Sequence, residues 1–293
     1  MTRKPSAKPD GSKENPIAGL FLAACEAELA SLKPGNVHVY ADGHRMDVAM
    51  FKESAAAAAP HIAARGAPVG DRIERAVKAS VSVAGCNTNL GIVLLAAPLA
   101  AAAEQGTNPL RVRLSQVLDS LTNEDARAAY SAIAAASPAG LGAVSEGDVA
   151  RASPNLTLRA AMALARDRDR IALAYVTDYA DIFEFAIPAL AAARLSASTP
   201  ERVVTALHME LLAEFPDTHL ARKHGAATAD AVQNEAYRLR GSYHPAVDDE
   251  GFERLLAFDA DLKQRGLNPG TTADFVVAAL FADALMHQVS FDV

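Results

Sequence analysis

Apolar residues in this chain recur at three- and four-residue spacing and almost never alternate, and that single pattern excludes most folds. A helix gathers positions i, i+3 and i+4 on one face, whereas a half-buried strand needs a period of two. The first such run is Ile17, Leu20, Phe21 and Ala24. Asn15 stands where an N-cap belongs and Pro16 where a first helical residue belongs, and Pro34-Gly35 stops the run beyond Leu32. Further helical periods cover 47–65, 69–84, 88–105, 110–119, 123–136, 156–176, 179–195, 199–214, 225–240, 249–265 and 271–288. Clusters of Gly, Pro, Ser and Asp separate them. Thr122 with Asp125 three residues on reads as a variant capping box. Val37–Tyr40 is the one β-like stretch, and it suits an extended loop better. No fixed-period repeat and no long polar linker interrupts the series. The expectation is an all-α protein: one compact multi-helix domain over 16–293, behind a disordered N-terminal tail over 1–15 that holds almost nothing apolar.

Composition agrees with close-packed helices. Hydrophobic residues make up 51% of the chain, but aromatics only 5%, and Trp is absent, so Ala, Leu and Val must fill the core. The net charge of −7 disfavours nucleic acid as a partner. No apolar run approaches the roughly 18 residues that read as a membrane span. The nearest, Gly91–Ala103, is short and contains Pro98. Cys25 and Cys86 have no metal-ligand spacing and no secretory signal beside them, so both read as small core residues in a reduced, cytoplasmic setting.

Four polar breaks interrupt the apolar pattern, and loops on a rigid scaffold are where sites tend to form. The first is Lys33-Pro34-Gly35-Asn36-Val37-His38, a tight turn whose lysine can face phosphate. The second is Gly43-His44-Arg45-Met46-Asp47, leading towards Phe51 and Ser54. Asp47 there suits either a helix start or a metal ligand or base. The third is Gly85-Cys86-Asn87-Thr88-Asn89-Leu90-Gly91, where three polar side chains in an apolar setting need partners. The fourth pairs Phe215-Pro216-Asp217-Thr218-His219, with Arg222-Lys223-His224 behind it, and Asn268-Pro269-Gly270-Thr271-Thr272-Ala273-Asp274. Each alone fits a turn or a cap as well as a site. There is no P-loop, no G-x-G-x-x-G, no G-x-S-x-G and no H-E-x-x-H.

Taken in order, these pieces resemble the triphosphoribosyl-dephospho-CoA synthase family. Its features match here as Glu28, Lys33-Pro34-Gly35, Gly43-His44 with Asp47, Phe51 with Ser54-Ala55, Asn87-Thr88 with Gly91, and Pro269-Gly270 with Ala273-Asp274. The citrate-lyase-associated branch carries His-Lys after its N-T pair; Asn89-Leu90 stands there in this chain. The version here is similar to a second branch, found in archaea and in one-carbon-metabolising bacteria.

The resemblance implies a pentosyltransferase. ATP gives its triphosphoribosyl group to 3′-dephospho-CoA, adenine leaves, and the product is a prosthetic-group precursor. It further implies catalytic carboxylates, for which Asp47, Glu28 and Asp217 are candidates. Nucleotide-binding candidates are Lys33, Gly35, Asn36, His44, Ser54, Asn87, Thr88, Asn89, Gly91, Arg222, Lys223 and Asp274. Mg²⁺ is expected on Asp47 and Asp217. Small-molecule nucleotides are the expected partners, with a homodimer left open. Two alternatives stand: a nucleotide-dependent enzyme making a one-carbon carrier of methanofuran or tetrahydromethanopterin type, and a non-catalytic nucleotide-binding helical protein.

Overall fold

The computed structural model describes residues 15–40, 48–136 and 156–288, and within them the chain is helical with no strand. The N-terminal half holds α1 (Pro16–Leu29), α2 (Val48–Ile62), α3 (Val69–Ala84), α4 (Leu90–Ala103), α5 (Leu110–Asp119) and α6 (Asn123–Ala136). The C-terminal half holds α7 (Leu158–Ala163), α8 (Arg170–Val176), α9 (Ile187–Ser196), α10 (Pro200–Glu214), α11 (Thr218–His224), α12 (Ala226–Arg238), α13 (Asp249–Gln264) and α14 (Gly270–Gln288). A π-helical turn, Asp181–Ala186, runs directly into α9, and a 3₁₀ turn, Arg240–Ser242, follows α12. The last helix ties the halves together: α14 packs on α1 and α4 from the first half and on α10 and α11 from the second. One hydrophobic core runs from Ile17 to Leu285. No helix among the described residues is long and apolar enough to cross a membrane.

Local chemistry explains the helix starts. Asn15 Oδ1 accepts the Ile17 N–H at 3.1 Å ahead of Pro16. At α6, Asp125 Oδ2 accepts the Thr122 N–H at 2.8 Å while Thr122 Oγ1 accepts the Asp125 N–H at 3.2 Å, a reciprocal box with aspartate in place of glutamate. Pro98 interrupts α4 and cannot donate to the Leu94 carbonyl four residues back. The buried Tyr175 hydroxyl donates to that oxygen at 2.7 Å, and Tyr179 donates to Leu95 at 3.2 Å. The proline therefore stands inside a buried helix without leaving its carbonyls bare.

Three expectations need correction. The helical period over 156–176 is two helices, because the Asp169 side chain caps a new start by accepting from Ala172 N at 3.0 Å. The segment after Asp217, read as loop, forms the short helix α11. Cys25 is buried, but Cys86 is half-exposed rather than a core residue, and neither forms a disulfide. The tail up to residue 14 and the stretch 41–47 lie outside the described residues.

Candidate active site

Helix α1 ends in a turn that points its functional groups inward. Lys33 is fully buried and paired with the Glu28 carboxylate one turn earlier. Burial draws both groups towards their neutral forms, lowering the lysine and raising the glutamate, and their mutual attraction opposes this. Gly35 then takes a φ of +83°, a conformation that favours glycine. A side chain at Gly35 would also press to 2.8 Å from the Leu267 carbonyl and the Pro269 ring. Asn36 donates to the Asn268 side chain at 2.9 Å. The Pro-Gly turn near the start of the chain and the Asn-Pro-Gly turn near its end are therefore packed together, 232 residues apart in sequence at the Asn36–Asn268 bond.

The start of α14 forms the facing wall. Asp217 Oδ1 accepts from Leu220 N at 2.9 Å and so caps α11. Its Oδ2 accepts from Thr272 N at 2.7 Å and Thr272 Oγ1 at 2.8 Å, closing the start of α14 as well. Thr271 Oγ1 accepts from His219 N at 3.1 Å. Burial raises the Asp217 carboxyl against the pull of these donors. One turn on, Asp274 is half-buried, with its carboxyl held well above the ordinary carboxylate range. Burial is the main cause, the negative charges of Asp217, Glu28 and Asp169 add to it, and Arg222 opposes it. Gly91 at the start of α4 lies directly against this carboxylate, so close that a Cβ there would fall inside contact distance of Asp274 Oδ2.

Behind the Lys33 turn lies a second charged group. His38 Nε2 meets Asp259 Oδ1 at 3.1 Å, Lys263 Nζ meets Asp259 Oδ2 at 3.0 Å, and Gly35 N–H donates to Asp259 Oδ1 at 2.8 Å. Nδ1 of His38 accepts the Tyr40 N–H at 3.2 Å, and its Nε2 lies against both Asp259 and the Lys263 ammonium, the latter at 3.2 Å. Burial lowers the His38 imidazole. Burial also raises Asp259, but His38, the Gly35 N–H and Lys263 outweigh it and hold that acid below its normal range. His208 on α10 completes the layer, fully buried and close to Lys33, His38, Asp259 and the Pro34 main chain.

The structure thus brings together Glu28, Lys33, Gly35, Asn36, Gly91, Asp217 and Asp274. Arg222 borders the group: its Nη1 lies 3.5 Å from Asp169, and it is exposed, as is Lys223. The remaining described candidates lie on α2 (Ser54) and in the loop between α3 and α4 (Asn87, Thr88 and Asn89). Asn89 is buried and donates to Ser80 Oγ at 3.0 Å, which donates in turn to the Ser54 carbonyl at 3.1 Å. Ser54 Oγ donates to the Met50 carbonyl at 2.7 Å. Asn87 Oδ1 accepts from Leu90 N at 3.1 Å, while the buried Thr88 hydroxyl has no hydrogen-bond partner. Asp47 and His44 lie outside the described residues. Among the described residues, no group of three or more His, Cys, Asp or Glu side chains is arranged to hold a metal.

Sequence reading missed Asp259, Lys263 and His208. Asp259 and Lys263 look like an ordinary surface pair at i and i+4 on α13. His208 was detectable in principle, as the lone titratable residue inside the run Val203–Met209.

A family model described as ATP:dephospho-CoA triphosphoribosyl transferase matches residues 14–292. Among solved structures, a proposed triphosphoribosyl-dephospho-CoA synthase from Archaeoglobus fulgidus superposes with a TM-score of 0.62 at 23% identity, covering 80% of this chain and 98% of that one. At that identity the likeness speaks for the fold. A comparison with curated proteins finds no match.

Proposed function

The chain belongs to the ATP:dephospho-CoA triphosphoribosyl transferase family, and from that membership we propose how its residues carry the reaction. The enzyme moves a triphosphoribosyl group from ATP to dephospho-CoA. What remains of ATP after that group departs is adenine. Membership favours neither a one-carbon carrier pathway nor a non-catalytic role.

Transfer joins an acceptor hydroxyl oxygen to the anomeric carbon of the ATP ribose and breaks the bond from that carbon to adenine. The bonding pair leaves with adenine, the hydroxyl gives up one proton, and the ribose gains cationic character on the way. The step needs an acid for adenine, a base for the hydroxyl and negative charge beside the sugar. Asp274 fits all three in sequence. Its raised affinity for a proton favours the protonated acid up to the moment adenine departs and takes that proton. Once that proton has gone to adenine, the carboxylate faces the cationic ribose, then takes the hydroxyl proton and is restored. The observation that carries this reading is the clearance at Gly91, where Asp274 lies against bare backbone and any side chain would displace it.

Lys33 addresses the triphosphate, with Glu28 holding it in place, and Arg222 and Lys223 add charge at the rim. Asn36 and Thr88 offer polar contacts to sugar or base. Asp217 closes two helix starts with both oxygens engaged, so its part is to fix the approach of α14 to the turn at Gly35. No described group forms a dedicated metal cage. Mg²⁺ binding needs only one or two carboxylates once phosphate oxygens are present, and Asp47 remains the candidate beside them. When bound, Mg²⁺ would neutralise triphosphate charge. A cytoplasmic enzyme, as a monomer or a homodimer, fits these roles equally. The test is adenine release from ATP, measured by chromatography with and without dephospho-CoA, in wild-type protein and in Asp274→Asn. Release that needs the acceptor and is lost in the variant supports the assignment; full release by the variant removes Asp274 from the chemistry.

A further inference from the structure

His208 is fully buried in the middle of α10; neither ring nitrogen makes a hydrogen bond of good geometry, and the Pro34 main chain offers it only a loose one. Its neighbours along the helix, Val203, Val204, Ala206, Leu207, Met209, Leu211 and Leu212, are all buried and apolar. A leucine there would bury equally well and leave nothing unsatisfied. An unpaired buried polar group costs on the order of 1–3 kcal/mol, so this imidazole is a burden on the fold. Burial, with the charges of Lys33 and His38 nearby, pushes its basicity down to about 3, so the ring is neutral and carries one N–H.

The place of the ring suggests what the burden is for. It sits against the Pro34 main chain, under the turn that presents Lys33. The rest of that turn is already tied down: Gly35 N–H to Asp259, Asn36 N–H to the Lys33 carbonyl at 2.9 Å, and Asn36 to Asn268. Proline has no N–H of its own, leaving its carbonyl as the polar handle at the apex of the turn. Lys33 itself is held by Glu28 and leaves two ammonium donors for a phosphate.

We propose that His208 is a positioning residue: on nucleotide binding its ring N–H closes on the Pro34 carbonyl and fixes the Lys33–Gly35 turn in the arrangement that engages the triphosphate. This rests on the transfer reading above. His208 touches neither the substrate nor the reacting atoms; it acts through Lys33. A small misplacement of a binding group can lower turnover by roughly 10²-fold, which sets the scale expected.

The experiment compares wild-type protein, His208→Leu and His208→Gln by adenine release from ATP, Mg²⁺ and dephospho-CoA, alongside the melting temperature of each. His208→Leu is expected to melt at or above the wild-type temperature while its kcat falls by roughly tenfold or more. His208→Gln, which keeps an N–H donor at similar reach, should recover most of that loss. A purely structural histidine would instead lose activity only as far as it loses melting temperature. Wild-type kcat in His208→Leu, or parallel loss of kcat and melting temperature in both variants, overturns the positioning role alone. Wild-type protein that releases no adenine contradicts the transfer reading itself and takes the positioning role with it.

Discussion

Asp125 and Asp217 do the same local job in two regions, and only one of those regions is a candidate site. Asp125 accepts from the Thr122 N–H and hydroxyl through one oxygen and from Gly70 N at 2.7 Å through the other, so it closes the starts of α6 and α3 together. Asp217 closes α11 and α14 in the same way. Both are buried and each accepts at least three donations. Even the glycine logic repeats: a Cβ at Gly70 would press into the Asp125 backbone, as one at Gly91 would press into Asp274. The difference lies in what stands next to each acid. Near Asp217 are Asp274, its carboxyl raised first by burial and then by the charges of Asp217, Glu28 and Asp169, and the buried Lys33–Glu28 pair. Beside Asp125 is a cavity of about 240 Å³ walled mostly by Ala67, Pro68, Val69, Ala101, Val117 and Leu121. A buried, satisfied acid therefore identifies a joint between helices. At Asp217 it is the neighbouring Asp274, short of opposite charge, together with the buried Lys33–Glu28 pair, that marks the site.

Substitutions can break this contrast, and the largest effect belongs to Asp274. Asp274→Asn should lower kcat for adenine release by roughly 10²–10⁴-fold, the usual weight of a general acid–base group. It should also be no less stable than wild type. The sign follows from linkage: the folded protein holds a proton on Asp274 that the unfolded chain releases above about pH 4. Wild-type stability from this group is thus present at low pH and lost as pH rises. The Asn variant gains relative stability towards neutral pH, and urea midpoints at pH 4, 6 and 8 would register it. Gly91→Ala comes next. It forces Asp274 to move, with an expected loss in kcat of roughly 10²-fold and a smaller loss in stability, read from kinetics and thermal melts together.

The joint at Asp125 should behave in the opposite way. Asp125→Ala strands donors at two helix starts and should cost roughly 3 kcal/mol of stability in denaturant unfolding, with kcat unchanged in the folded fraction. Unaltered stability there would remove the basis for calling it a joint. Smallest is Tyr175→Phe, which leaves the Leu94 carbonyl beside Pro98 without its donor and should cost about 1–2 kcal/mol with activity intact.

How much of this was legible depends on the range of the interaction. Helix starts are local, so Asn15-Pro16 and Thr122 with Asp125 could be read directly. The split at Asp169 and the helix after Asp217 were missed because a strong apolar period and a Pro-Asp turn masked equally local caps. The second acceptor role of each aspartate is invisible in sequence, since Gly70 and Thr272 lie 55 residues from their carboxylates. Motif order placed Glu28, Lys33, Gly91 and Asp274 among the candidates, but not the reason for Gly91, which is the acid it faces. His208 and Asp259 carry no motif, and only their burial against the Lys33 turn marks them.

The most direct test of the central claim is chromatographic detection of free adenine when purified protein is incubated with ATP, Mg²⁺ and dephospho-CoA. Adenine that appears only with dephospho-CoA, and at a rate lowered by roughly 10²-fold or more in Asp274→Asn, is the predicted result. Adenine release unaffected by Asp274→Asn, or ATP consumed to ADP or AMP with no free adenine, would contradict it.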